Sequence, residues 1–298
     1  MKNNDLYSKL FVADRFFTIA IRKRHNADII RSKQFSAKYI VYANRQKWFA
    51  DPMLVDTDDK TYLFYEAVLG NKGHIEVAEV LDDCTLGDPV VILQDDCHYS
   101  YPFVFRYNDE WYMIPESSAV TEVRLYRAAA FPEKWELSTV LLHEKAVDTT
   151  VFEQNGKLYL LTFILVEGSE RVVPHAYKME LRQESVELTA IAWDGFDELR
   201  VRGAGPVFET DNELYRPAQI SQEYRYGDGV VFYQVDASDS YNENLVGVLL
   251  ASDLSISEYY VDGLHTYCIS KKFEVIDIRC GVIDYFKPAK KVLGVLKR

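Results

Sequence analysis

Hydrophobic and polar residues alternate along this chain in short runs of period two, broken by polar turns, and no stretch longer than about ten residues carries a helical period. Alternation of that kind suits strands with one face on a core and the other in water. One phrase is written five times: an apolar strand opening on a polar or aromatic residue, a turn, and a second strand rich in Tyr and Phe. The copies open at Asp51, Tyr101, Asp148, Arg216 and His265, at intervals of 50, 47, 68 and 49 residues. Their second strands are 60–66, 110–116, 157–163, 229–234 and 273–278. Turn residues stand between the pairs: Asp58-Asp59, Asn108-Asp109, Asn155-Gly156, Gly227-Asp228 and Ser270-Lys271-Lys272. Third strands follow at 73–80, 122–128, 171–179 and 245–251.

A strand-built repeat of roughly 40–50 residues marks the blade of a β-propeller. The pattern therefore predicts an all-β chain, a single five-bladed β-propeller over residues 1–298, with all five opening residues facing one central channel. Phe16–Arg22 reads as the strand that closes the ring against the last blade and so removes an exposed edge. The widest interval contains an insert, Trp193–Gly205.

Composition then narrows the function. The net charge of −12 lacks the basic footprint of a nucleic-acid binder. The one basic stretch, Lys287–Arg298, offers contact with an anionic membrane surface; the plainer and favoured reading is a solvated end of the last strand. No run approaches the ~18 apolar residues of a membrane span. Phe16–Ile21 is followed by Arg22-Lys23-Arg24 instead of a cleavage site, which argues against a signal peptide. Cys84, Cys97, Cys268 and Cys280 lack metal-type spacing and read as free thiols, as in a cytoplasmic protein. No metal or cofactor is expected: phosphate loops, dinucleotide fingerprints and nucleophile elbows are absent, and Asp82-Asp83 and Asp95-Asp96 lack calcium-loop spacing.

A longer string of motifs carries a resemblance. Phe49-Ala50-Asp51-Pro52, Ser100–Phe105, Met113–Ser117, Arg124–Ala128, Phe131–Trp135, Val147–Thr150, Arg216–Gln219 and Gly263–Thr266 occur in that order. Together they resemble the N-terminal propeller domain of the plant glucosamine inositolphosphorylceramide transferase family and its bacterial relatives, over about Phe16–Ile278. More distantly the chain is similar to the five-bladed glycoside hydrolases of the arabinanase, xylosidase and invertase types. The resemblance implies a glycan ligand and a separate glycosyltransferase, because the plant proteins carry that activity in another domain.

In the glycosidases an Asp opens the first blade as base or nucleophile, an Asp opens the third, and a Glu on the fourth is the general acid. Asp51 and Asp148 match the first two. The fourth phrase offers Arg216, which stays charged and cannot donate a proton. Glu116, its counterpart Glu66, and His265 stand as substitute acids, His265 because imidazole titrates near neutrality. Against this, Glu66 and Glu116 would each pair with a neighbouring arginine such as Arg124 or Arg127. Arg216 reads either as a fork for an anionic sugar, with Gln219 beside it, or as an ion-pair partner of Asp51 or Asp148. Tyr101 and Trp48 read as sugar-stacking faces or as packing, and His98 as a loop contact. Two functions follow: a propeller that acts on a sugar in glycolipid or surface-polysaccharide assembly, or a non-catalytic carbohydrate-binding partner of a transferase.

Overall fold

A computed structural model describes residues 10–24, 29–32, 34–117, 120–169, 171–182, 185–222, 225–256 and 259–288. Apart from the helical turns Ile29–Ser32 and Ala251–Asp253, the regular elements among them are strands. The basic tail beyond residue 288 lies outside the described residues.

Antiparallel meanders repeat along the chain. Lys47–Asp56, Thr61–Leu69, Lys72–Glu79 and Val90–Leu93 form one, and Tyr99–Tyr107, Glu110–Ser117, Val123–Ala130 and Lys134–Leu142 the next. An eight-stranded sheet holds two more, from Ala146–Gln154 to Val186–Trp193 and from Phe208–Thr210 to Ser240–Leu250. These two meet in a short parallel contact, Ala192 with Ser240 and Trp193 with Tyr241. In the last unit Tyr267–Ile269 pairs with Phe273–Ile283, whose other edge pairs with Val12–Lys23 from the opposite end of the chain.

Apolar side chains weld consecutive units together. Met53 and Phe64 pack with Phe103, Met113 and Leu160 across the first three units, and Phe163 and Trp193 with Val235 and Tyr241 across the third and fourth. Phe232 joins Tyr267 and Ile276 across the fourth and last, and Phe273 and Val275 join Phe49 and Leu63 of the first. A sheet array whose last unit packs on its first is curled. First strands are therefore sandwiched on both faces: Phe49 through Val55 are all buried.

The first strands share a local device. Asp51, Tyr101 and Asp148 have φ of 50°, 45° and 51°, and at each the pairing with the second strand skips a step. These are bulges, which re-aim a side chain and leave its amide outside the ladder. The first hairpin turns, Asn108-Asp109 and Asn155-Gly156, also have positive φ at both residues, the backbone that suits right-twisted hairpins.

The fourth unit corrects the sequence reading. Its positive-φ turn is Asp211-Asn212, and pairing runs from Gly203 opposite Ala218 through Phe208 opposite Tyr215 to Thr210 opposite Glu213. The first strand is thus the stretch ending at Thr210, taken partly for an insert, and Arg216 sits on the second strand. Counting back from the turn as in the second and third units, the opening falls at Ala204, followed by Gly205-Pro206. A polar residue before proline fits either strand, so the local sequence carries no sign of which it is; only the register decides.

Candidate functional site

Each bulge frees a buried backbone N–H that must find an acceptor. Another unit supplies it. The Asp51 N–H donates to Asp277 Oδ2 at 3.1 Å, the Tyr101 N–H to Asp51 Oδ2 at 3.2 Å, and the Asp148 N–H to Glu116 Oε2 at 3.2 Å. In the fourth unit the Gly205 N–H donates to the Tyr101 hydroxyl at 2.9 Å. Asp277 Oδ1 also accepts the N–H groups of His265 (3.0 Å) and Thr266 (2.8 Å). The opening residues thus form a hydrogen-bonded relay running from unit to unit.

Asp51, Asp148 and Asp277 are buried together, with Glu116 half-buried beside them. Burial pushes the Asp51 carboxyl up to about 7, helped by Glu66, Asp277 and Asp148 and opposed by His265. Burial, then Asp148, pushes Glu116 up to about 8 against the pull of Arg202. For His265, burial works against the charged ring, but Asp277, 2.5 Å from Nδ1, and then Asp51 outweigh it and raise the imidazole to about 9. Asp51, His265 and Asp277 bring possible ligand atoms within 4.8 Å of one another. Yet each Asp277 oxygen already faces two N–H donors, which fills a carboxylate's acceptor capacity and turns donors, not lone pairs, toward any cation. The cluster is a hydrogen-bonded hub.

The remaining residues divide between buried and partly exposed ones. Arg216 is 1% exposed and does not pair with Asp51 or Asp148. Its guanidinium makes a fork on Glu243 (2.8 and 2.9 Å), donates to the Val201 carbonyl at 2.8 Å, and lies over the rings of Trp193 and Tyr233. Gln219 is buried as well and donates to the Gly203 carbonyl at 2.7 Å. Tyr101 presents no stacking face: it is 1% exposed, with its hydroxyl occupied by Gly205. Asp148 is held by a residue the sequence did not flag, Arg202, in a fork of 2.8 and 3.1 Å.

Partly exposed His98 has its Nε2 2.8 Å from Glu66 Oε1 while its Nδ1 accepts the Gly73 N–H at 3.1 Å. Glu66 draws the ring toward the charged form, but the Gly73 bond needs an unprotonated Nδ1. That bond fixes the neutral ring with its proton on Nε2 in this geometry. Glu66 and Glu116 therefore bind His98 and a backbone amide; Arg124 and Arg127 pair with Glu122 and Glu110 instead. Half-buried Trp48 lies 6.2 Å from Phe17, whose ring stacks on His265 at 4.5 Å. His98, Glu116, Arg202 and Trp48 keep partial exposure, unlike the buried hub.

Two functional-looking residues escaped the sequence reading, Arg202 and Asp277. A sign was present for Asp277, an acid within the apolar run Val275–Ile278. For Arg202 the flanking Gly203 is the trace: a Cβ there would lie 2.9 Å from both the Asp148 Cβ and the Tyr101 hydroxyl.

The profile of a known family, described as "Glucosamine inositolphosphorylceramide transferase 1, N-terminal", matches residues 35–259. The chain belongs to this family. A curated member from Arabidopsis thaliana, named glucosamine inositolphosphorylceramide transferase 1, is 33% identical over 193 residues, 60% of this chain and 24% of its own length. The protein of that name from Oryza sativa subsp. indica is 31% identical over 199 residues, 63% of this chain and 26% of its own length. The chain thus spans about a quarter of these relatives. Among solved structures, the GH32 β-fructofuranosidase BmSUC1 of Bombyx mori superposes with a TM-score of 0.55 at 15% identity, covering 84% of this chain and 65% of that one. The α-L-arabinofuranosidase of Lactobacillus brevis gives 0.52 at 15%, covering 74% and 79%. At such identity the likeness is one of fold, that of the propeller glycoside hydrolases.

Proposed function

We propose that the five units are the blades of a single five-bladed propeller, and that it binds a glycan head group without hydrolysing it. It would present that group to a separate glycosyl-transferring partner in glycolipid or surface-polysaccharide assembly, on the cytoplasmic side. The observation that carries this reading is the fourth opening. Where a glycosidase of this fold would need its general acid, the chain has Ala204-Gly205-Pro206, and Asp148 is neutralised by Arg202. Hydrolysis needs two working carboxyls about 5–9.5 Å apart, and the two that match by position are spent on the relay and on Arg202. The ligand surface in this reading is the partly exposed rim of the proposed channel: Trp48 for the apolar face of a sugar, His98, oriented by buried Glu66, for hydroxyls, Arg202 for an anionic substituent such as the phosphate in the relatives' name.

One observation favours a second reading. Half-buried Glu116 is pushed up to about 8 by desolvation and the neighbouring Asp148, the protonated state a general acid requires at neutral pH, and Asp51 would then be the base. Titration calorimetry against glucosamine, inositol phosphates and a glycan panel, together with a turnover assay on aryl glycosides, separates the two. Binding without turnover, weakened by Trp48→Ala and His98→Ala, supports the binding module. Turnover abolished by Glu116→Gln supports the enzyme. No binding by any sugar would overturn both.

A further inference from the structure

Two basic runs lie far apart in the sequence, Arg22-Lys23-Arg24 and Lys271-Lys272, and the closing strand pair sets them side by side. Lys23 stands opposite Phe273, and the Arg24 N–H donates to the Lys272 carbonyl at 2.7 Å. Strand alternation sends Arg22 to the other face, where its guanidinium donates twice to Glu274 Oε2. Arg24 Nη1 reaches the Ser270 carbonyl at 3.3 Å, which lays that guanidinium along the hairpin turn.

Lys23, Arg24, Lys271 and Lys272 line a cleft of about 290 Å³, together with buried Phe273 and with Asp82 of the first unit. All four cations are exposed, and among the described residues none of them has a carboxylate within ion-pair distance. Asp56 does not supply one: its carboxylate accepts the Lys271 backbone N–H and the Thr61 hydroxyl, each at 2.7 Å. A larger cleft of about 480 Å³ between the second and third units is also basic, but there Lys178 pairs with Asp239, and Arg182 with Glu180 and Glu187.

Like charges gathered without a counter-charge repel one another, and an anion among them relieves that repulsion. The body of a chain of net charge −12 repels the same anion, so the cleft is where it would concentrate. The surroundings decide its size. Asp58 and Asp59, just beyond Asp56, and Asp83, next to Asp82, are exposed. An extended anionic surface, whether bilayer or nucleic acid, would meet these acids as well as the lysines, whereas a compact anion enters between the cations. The volume lies at the lower end of small-ligand pockets, which start near ~300 Å³. Lysine heads and one guanidinium fork suit phosphate oxygens.

We propose that this cleft binds the diphosphate portion of a soluble ligand. The Lys271-Lys272 turn follows the end of Tyr267–Ile269 remote from His265, so the site is separate from the rim and does not depend on the glycan reading. Titration calorimetry of the full chain with pyrophosphate and with inorganic phosphate, at low ionic strength, tests it. Pyrophosphate should bind at one site, more tightly than phosphate, and weaken with added salt. Lys271→Ala with Lys272→Ala should lower its affinity about tenfold or more, from about fivefold per cation at ~4 Å in water. The melting temperature should not change, because both side chains are exposed. Asp82→Asn should raise the affinity, an effect that damage to the fold would not produce. Lys157→Ala with Lys178→Ala, in the larger cleft, should leave it unchanged.

No binding of pyrophosphate, or binding indifferent to the Lys271 and Lys272 substitutions, would overturn the proposal. So would an affinity that falls with Arg202→Gln instead, because the anion would then sit at the rim. Glycan binding measured on the same variants keeps the two readings apart. Glycan binding without pyrophosphate binding removes this inference alone, and the reverse removes the other.

Discussion

The carboxylate of Asp51 accepts the backbone N–H of Tyr101 at 3.2 Å, so a side chain placed like a catalytic base holds the bulge of the next unit. Its other oxygen accepts the Thr266 hydroxyl at 3.0 Å. Asp51→Ala would leave a buried amide and a buried hydroxyl without this acceptor, at a cost of about 1–3 kcal/mol. Urea unfolding measures it; unchanged stability with lost activity would make Asp51 a purely chemical residue.

Arg216 is buried, and the side chain of the carboxylate it pairs with, Glu243, is 7% exposed. Arg216→Ala strands the Glu243 charge and should destabilise the fold by about 3–5 kcal/mol. Arg216→Met combined with Glu243→Leu should recover most of that loss, because it removes both charges and keeps the volume. A double variant no more stable than Arg216→Ala would show that the hydrogen bond to the Val201 carbonyl and the ring contacts matter more than the charge.

Protons on the relay tie stability to pH. Asp51 and Glu116 are raised from 3.8 and 4.5 to about 7 and about 8, and His265 from 6.5 to about 9. In each case the folded state keeps a proton that the unfolded chain has already lost, so alkali favours unfolding. The two carboxyls withdraw stability as pH climbs toward their folded values. The His265 contribution is complete below 6.5 and is lost as pH rises through about 9. The melting temperature should fall from about pH 5 to about pH 9. Glu116→Gln, which can still accept the Asp148 amide, should flatten the part below about pH 8. A melting temperature that rises over this range would contradict the assignment.

Two glycines separate backbone strain from lack of space. At Gly156 φ is +72° with nothing within 4 Å of an added Cβ; at Gly205 φ is +130° and the Cβ would fall 2.1 Å from the Tyr267 carbonyl oxygen. Gly156→Ala should cost about 1–2 kcal/mol, the price of a left-handed residue. Gly205→Ala should cost clearly more, since the first strand of the fourth unit would have to move off Tyr267. Equal losses in thermal unfolding would mean that this strand is not seated as described.

What the sequence determined by itself was local: strands from period-two alternation, turns from Asn, Asp and Gly, and the openings Asp51, Tyr101 and Asp148, because each unit repeats the same short-range chemistry; that these openings are bulges came from the register. The family was also legible, through motifs kept in order. The phase of the fourth unit was not, since Arg216-Pro217 imitates an opening and only pairing with the strand ending at Thr210 exposes it as a second strand. Nor were the partners. Asp277 reaches the Asp51 amide across 226 residues, Arg202 reaches Asp148 across 54, and Arg216 turns to Glu243 and away from the acids of the openings. Alternation fixes which face of a strand a side chain leaves from. Which acceptor a buried donor meets depends on how the curled sheet brings distant units together, and that is decided only when the chain closes on itself.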